Sequence, residues 1–561
     1  MDNYAIAENF SLLSKLMDIH GDNSFKAKSY ASAAFTIDKL PMPLAGLPAE
    51  KIFAIRGIGD TIGKKIVEQL ETGQLAALDE YLAKTPPGIL EMLRIKGIGP
   101  KKISTIWKEL EIESLGELLY ACNENRLTLY KGFGEKTQNN IRESIEFYFG
   151  SLGRYLYQQM EPYAALVAEK LAASFPSEQF VQTGEFRRQM EIINTLEWVT
   201  TVSADVLKTF FTDNDFAVLN ETTGYLSFKG KENVTLGFYL STRDQLTNQL
   251  FLSSASEEFI SAWKQTTNWD PDANYASEEA LFAAVSVHPI PAFRREKAGV
   301  ISLAQNAPLK EVIQPNDITA IIHSHSNWSD GVHTIEQMAD AAKEKGFQYL
   351  VISDHSKTAF YANGLNEERI AAQHRQVDEL NQQLFPFKIF KSIESDILND
   401  GSLDYAPEIL SGFDLIIASI HSNLKMPEEK AMMRLMNAIE NPFTSILGHM
   451  TGRLLLSRNG YPVDHKRIID ACAANNVVME LNAHPRRLDI DWRWIDYALE
   501  KNVLISIDPD AHAIDGFDDC RYGVLVAQKA GLQKTQNLSS FSRGDFEKFI
   551  ATQKSKRPKE Y

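Results

Sequence analysis

The apolar positions of this chain follow two regimes. Over roughly the first 145 residues they recur at helical spacing, as from Ile6 to Met17, and the region reads as all-helical. From residue 318 onward, short apolar runs at 318–322, 349–353, 387–393, 414–420, 444–448, 477–481 and 504–507 read as strands. Helical patterns at 335–345, 367–384, 428–440, 465–475 and 492–501 separate them. Strands alternating with helices predict a parallel, seven-stranded β/α barrel.

The polar residues that end these runs change the picture. The first run leads into His323 and His325, whose imidazoles strand alternation sends to one side, followed by Asp330 and a helix opened by the capping box Thr334 to Gln337. Later runs end at Asp354-His355, Glu394, His421, His449, Asn482-Ala483-His484 and Asp508 to His512. In a parallel barrel the C-terminal strand ends surround one opening, where sites are built. Nine candidate metal ligands therefore converge: His323, His325, Asp330, His355, Glu394, His421, His449, Asp510 and His512. They include six of the chain's twelve histidines, which random placement does not favour. Mixed imidazole and carboxylate ligation suits Mn²⁺ or Zn²⁺.

At 561 residues, two to four domains are expected. The composition, 44% hydrophobic and 24% charged, is that of a globular protein. Cys122, Cys472 and Cys520 form no C-x-x-C pair, which excludes a disulfide framework and fits a reducing, cytoplasmic setting. No basic-then-apolar leader and no membrane-length apolar run is present in the sequence, so no membrane partner is expected. A net charge of −16 excludes bulk attraction to nucleic acid, so any such binding must be local.

The helical region supplies that local chemistry. Gly57-Ile58-Gly59, Gly97-Ile98-Gly99 and Gly132-Phe133-Gly134 each precede a helix, with Lys64 and Lys65, Lys101 and Lys102, or Lys136 close behind. One such turn is merely tight. Three, each opening a basic helix, read as helix-hairpin-helix motifs whose backbone N–H groups approach DNA phosphates without reading sequence. No strand precedes them, so they are not dinucleotide fingerprints.

From His323 onward the chain resembles a PHP domain, the polymerase and histidinol phosphatase superfamily. The resemblance rests on His323-Ser324-His325 with Ser329-Asp330-Gly331, Ser353-Asp354-His355, Ser392 to Ile397, Ala418 to Ser422, Gly448 to Arg453, and Asp510-Ala511-His512. It implies a distorted seven-stranded barrel that holds two or three divalent metals and hydrolyses phosphate esters. His484 departs from the related bacterial polymerases, which usually have asparagine there, and is left out of the ligand set. With the hairpins in front, the whole chain is similar to a bacterial family X DNA polymerase ending in a PHP domain. The divisions are then a helical DNA-binding region at 1–148, a palm at 149–245, a thumb-like segment at 246–300, a linker at 301–317 and the barrel at 318–561.

The palm departs from the family. Where family members carry Gly-Ser-x-Arg-Arg this chain has Gly184 to Arg188 with Glu185 second, the aspartate pair becomes Thr195-Leu196-Glu197, and the third aspartate falls near Thr235. A threonine hydroxyl is no substitute for an ionised metal ligand. Polymerisation is therefore expected to be absent, and the expected activity is 3′-5′ exonucleolytic hydrolysis of DNA. Glu394 is the expected bridging carboxylate, Arg453 and Arg487 are candidates to grip the scissile phosphate, and Asp354 and Asp396 are candidates to orient the ligands beside them. A histidinol-phosphate type of phosphatase and a non-catalytic DNA-binding repair accessory are the alternatives. Lys65 stands where lyase-active family members place a Schiff-base lysine, although lysines after a hairpin more often contact phosphate. The basic run Lys554 to Lys559 reads as a disordered tail.

Overall fold

Helical spacing in the first region becomes helix throughout. The computed structural model describes residues 3–38, 40, 42–150, 153–230 and 233–558. Contacts divide the chain into two units, one up to Asn123 together with Leu127–Glu146, the other comprising Glu124–Arg126 and everything from Phe147. In the first unit, helices Asn3–His20 and Ser24–Asp38 pair along the buried stripe Ile6, Phe10, Leu13 and Met17, with Phe10 stacked on Tyr30. The helices Asp60–Thr72, Pro100–Lys108 and Glu135–Gly150 follow the three Gly-x-Gly turns, whose middle residues Ile58, Ile98 and Phe133 are buried.

The second unit opens with a five-stranded sheet in the order 180–183, 195–200, 235–240, 225–229, 217–222. Leu196, Trp198, Phe211, Phe228 and Phe238 form its core. A second cluster, around Phe251, Phe259, Trp263 and Phe282, also buries Val300, Ile301 and Ala304 of helix Gly299–Asn306. The thumb-like core therefore continues past residue 300, a correction to the expected 301–317 linker. Only 307–314 is irregular, because the apolar face of that short helix has a partner that periodicity alone did not reveal.

The barrel strands are β1 (Ala320–Ile321), β2 (Tyr349–Ile352), β3 (Lys388–Asp396), β4 (Leu415–Ser419), β5 (Ile446–Leu447), β6 (Val478–Asn482) and β7 (Ile505–Asp508). All neighbours are parallel and in sequential order. The seam between β1 and β7 is drawn together beyond the strand ends, where Ser324 bridges Ala511 and His325 N donates to Ala511 O at 2.8 Å. Elsewhere along the seam the segment 537–541 intervenes: Asn537 bridges Ile505, and Thr319 N donates to Ser539 O. Helix Arg543–Ser555 covers the end where strands begin, with Phe546 stacked on Tyr349 at 4.5 Å. The basic run is therefore no free tail: Lys554 pairs with Asp414 at 2.8 Å, and Lys556 and Arg557 donate to backbone carbonyls including those of Asn475 and Phe413. Lys559 lies outside the described residues.

Candidate metal centre and nucleic-acid interface

Glu394, near the end of β3, is the centre about which the site is arranged. Its Oε1 lies 2.9 Å from His449 Nε2, 3.1 Å from His421 Nε2 and 3.3 Å from His323 Nε2, and its Oε2 lies 2.9 Å from His355 Nδ1 and 3.7 Å from His325 Nε2. Asp510 Oδ1 faces His325 at 3.0 Å and His323 at 3.4 Å. Asp330 faces His512 at 3.3 Å and His355 at 3.6 Å. All nine residues singled out in the sequence therefore converge, and among the described residues four overlapping groups have ligand-atom spacings able to hold an ion: His325, Asp330, His355 and His512; His323, His325 and Asp510; His355, Glu394 and His421; and Glu124, Asp510 and His512.

Strand alternation is not what aims the first two histidines. β1 ends at Ile321, and His323 (φ 60°), like Asp510 (φ 52°), adopts the left-handed backbone region that costs a residue with a side chain about 1–2 kcal/mol. The strain recurs at two of the nine candidate ligands. His323 Nε2, His325 Nδ1, Asp330 Oδ1, Glu394 Oε2, His449 Nδ1 and His512 Nε2 are buried without a hydrogen bond of good geometry. Each such group costs about 1–3 kcal/mol. Convergent donors of this kind, lone pairs on imidazole beside carboxylate oxygens, fit divalent cations. Burial lowers His355 to about 4 and, with Arg487, His449 to about 3, leaving both neutral as ligation requires. His421 is raised to about 9, because Glu394 and Asp396 outweigh its burial.

Three carboxylates brace these groups. Asp396 Oδ1 holds His421 Nδ1 at 2.5 Å. Asp354 accepts from Ser326 N and Oγ, Ser329 Oγ and Gln373 Nε2, fixing the loop that carries Asp330. Glu480 was not singled out in the sequence, yet its Oε1 pairs with His323 Nδ1 and its Oε2 accepts from His449 N. The signal was present, a glutamate inside the apolar strand Val478–Asn482.

The two arginines separate. Arg487 Nε lies 3.7 Å from Asp510 Oδ2 and borders the centre. Arg453 commits its guanidinium to Asp491 at 2.5 Å and to the carbonyls of Arg487 and Leu488, so it braces a loop instead of facing the ligands. Glu124 and Arg126 carried no sequence signal. They lie among helical residues, yet belong to the second unit, where Glu124 Oε2 meets His512 Nδ1 at 2.5 Å and Arg126 Nε meets Asp330 Oδ2 at 3.2 Å. His484 is in none of the ion-holding groups among the described residues; its Nδ1 accepts from Arg486 N.

In the middle sheet Thr195 and Thr235 pair directly on adjacent strands, and Glu197 fills the space beside Gly184, where a Cβ would meet its Oε2 at 2.0 Å. Glu185 accepts from Asn194 N and Nδ2, and Arg187 is tied to Glu278. No group able to hold an ion occurs there among the described residues.

The hairpin glycines divide by role. Gly57, Gly97 and Gly132 have φ of 94°, 92° and 95°, so the turn itself demands glycine. Gly59 and Gly99 are extended helix caps, and a Cβ on either, or on Gly134, would enter open space. Nothing inside the protein requires glycine there. Lys101 and Lys136 are exposed and Lys102 is half-buried. Lys65 pairs with Glu68 at 3.8 Å. Among the described residues no helix is long and apolar enough to cross a membrane.

A seven-stranded barrel ending in this ligand ring is a PHP-type metal-dependent phosphoesterase scaffold, and residues 322–484 match the PHP domain. Residues 1–75 match a helix-hairpin-helix domain and 89–146 a SAM-like helix-hairpin-helix tandem. The chain is 30% identical over 562 residues, 95% of its length, to the DNA polymerase/3′-5′ exonuclease PolX of Bacillus subtilis (strain 168), covering 96% of that protein. It belongs to this family of bacterial family X DNA polymerases with a C-terminal PHP domain. Over a smaller share of its length the chain is also similar to two probable phosphatases. That of Thermoanaerobacter sp. (strain X514) is 26% identical over 42% of this chain and 95% of its own length, and that of Caldanaerobacter subterraneus subsp. tengcongensis is 25% identical over 29% and 62%.

Proposed function

We propose that the chain is a metal-dependent DNA phosphodiesterase acting as a 3′-5′ exonuclease, with its polymerase site inactive. The observation that carries this reading is Glu394, whose two oxygens serve five histidines in one buried ring, in a chain that also bears three hairpins with phosphate-accessible glycines. His323, His325 and Asp510, with His355, Glu394 and His421, would hold two ions, and Asp330 with His512 a third. When bound, Mn²⁺ or Zn²⁺ would supply an acidified water and polarise the phosphoryl group. Glu480, Asp396 and Asp354 keep the ligating groups oriented. Arg487 and Arg126, both bordering the ring, are the groups positioned to hold the scissile phosphate, in place of Arg453. The hairpins hold the DNA backbone without reading its sequence.

The similarity to probable phosphatases favours one second reading, a small-molecule phosphatase. Both readings are tested by supplying wild-type protein and Mn²⁺ with a 5′-labelled duplex bearing a recessed 3′ end, and separately with histidinol phosphate. Stepwise shortening of the labelled strand, at a kcat/KM well above that for histidinol phosphate, is expected. The reverse preference would establish the phosphatase reading, and no hydrolysis of either would leave a DNA-binding accessory.

A further inference from the structure

We propose that a groove of about 560 Å³ beside the metal centre, bounded by Phe149, Arg154, Ile192, Arg453, Leu455 and Arg458, binds the single-stranded end of a DNA substrate next to the bond that is cut. This rests on the phosphodiesterase reading above. Its lining carries three guanidinium groups and no carboxylate, on a chain whose net charge is −16, with Arg453 paired to Asp491 outside the lining. Such a local reversal of sign selects a polyanion. The same walls are apolar between the arginines. Phe149 is half-buried with the Arg486 guanidinium 5.9 Å over its ring, and Ile192 and Leu455 add flat aliphatic surface. Alternating cations and apolar or aromatic faces are what a strand of stacked bases and phosphates requires, and such stacking tolerates any base. The volume lies within the range of about 300–1,000 Å³ usual for ligand clefts.

Continuity with the centre gives the groove its place in the reaction. Its wall from Arg453 to Gly460 begins four residues after the ligand His449, and Leu455 N donates to Arg486 O at 2.6 Å. Arg486 adjoins Arg487, which borders Asp510. The groove wall and the loop that carries Arg487 are therefore joined through the backbone. They are already braced: Arg453 is held by Asp491, and Arg458 donates twice to Gly452 O, at 3.1 and 2.7 Å. A rigid wall spares the ordering cost that a loop would incur on binding. Arg453 acts here as a positioning residue, while exposed Arg154 meets phosphate and Phe149 meets a base.

The test uses the full chain in EDTA, so that nothing is cut, with oligothymidylate carrying 5-iododeoxyuridine next to its 3′ end. Photocrosslinking followed by peptide mapping should place adducts on Phe149 or within 453–460. With Mn²⁺, Arg154→Glu and Phe149→Ala should each raise KM for the oligonucleotide about tenfold or more, given about 1–3 kcal/mol for each stacked base. Their kcat should stay within about twofold, and hydrolysis of thymidine 5′-(p-nitrophenyl phosphate) should not change. Adducts confined to residues 1–146, or unchanged KM in both variants, would overturn the groove. Adducts at Phe149 in a protein that cuts no DNA would support the groove and overturn the phosphodiesterase reading instead.

Discussion

Glu394→Gln is the perturbation that most directly interrogates the centre. The amide keeps the side chain's shape and removes one charge from a point 2.9–3.7 Å from nitrogens of five histidines. At an effective dielectric near 20, two unit charges about 4 Å apart interact by about 4 kcal/mol, and a divalent ion is attracted more strongly. A loss of about 4 kcal/mol is about 10³-fold in ion affinity, because each 1.4 kcal/mol is tenfold. Exonuclease turnover at limiting metal should fall by a similar factor. Elemental analysis of the purified protein and release of nucleotide from a 3′-recessed duplex read the two effects separately. EDTA should reduce wild type to the level of the variant, and Mn²⁺ should restore wild type alone. Duplex affinity by fluorescence anisotropy should be retained, since the hairpins belong to the other unit. His484→Ala is the control that should keep its metal, because among the described residues His484 lies in none of the ion-holding groups and its Nδ1 already accepts from Arg486 N. Normal metal content together with a normal rate in Glu394→Gln would refute the assignment of Glu394 as the bridging ligand.

Three further outcomes are expected. Gly99→Val places its side chain in open space on an extended residue, so the fold should survive while duplex affinity drops about 10–100-fold, the worth of a hydrogen bond to a charged group, and its salt dependence flattens; an equal loss on a small chromogenic phosphodiester would mean the hairpin supports the fold instead. Primer-template with all four deoxynucleotides and Mg²⁺ or Mn²⁺ should show no extension, because Thr195 and Thr235 face each other where carboxylates are needed; extension abolished by Glu197→Gln would contradict this. Lys529 is buried, which lowers it to about 8 despite Glu296 and Glu191, so between pH 8 and 10.5 the unfolded chain holds more protons and stability should rise with pH by up to about 3 kcal/mol. Thermal unfolding of Lys529→Met should lack that rise, and an unchanged slope would show that Lys529 is not its source.

The barrel was legible because its information is local. An apolar run of four or five residues closed by a polar one marks a strand and its end, and sequential parallel strands leave little choice of order, so the nine candidate ligands from His323 to His512 stand out along the chain before it is folded. The hairpins were legible for the same reason, since a Gly-x-Gly turn and the helix behind it lie within a few residues of one another. What lay hidden depended on distance or direction. Helix Gly299–Asn306 has an apolar face whose partner is a cluster around Phe251, and the basic run after Lys554 is held by carbonyls near residues 413 and 475. Arg453 and Arg487 carry the same group on neighbouring loops, and only packing sent one toward Asp491 and the other toward Asp510. Glu124 and Arg126 stand more than two hundred residues from the ligands they meet. Periodicity is a property of the backbone repeat and can be read along the chain. The aim of a side chain, and the partner that neutralises a buried charge, are set by contacts between segments remote in sequence, and only the folded chain brings those together.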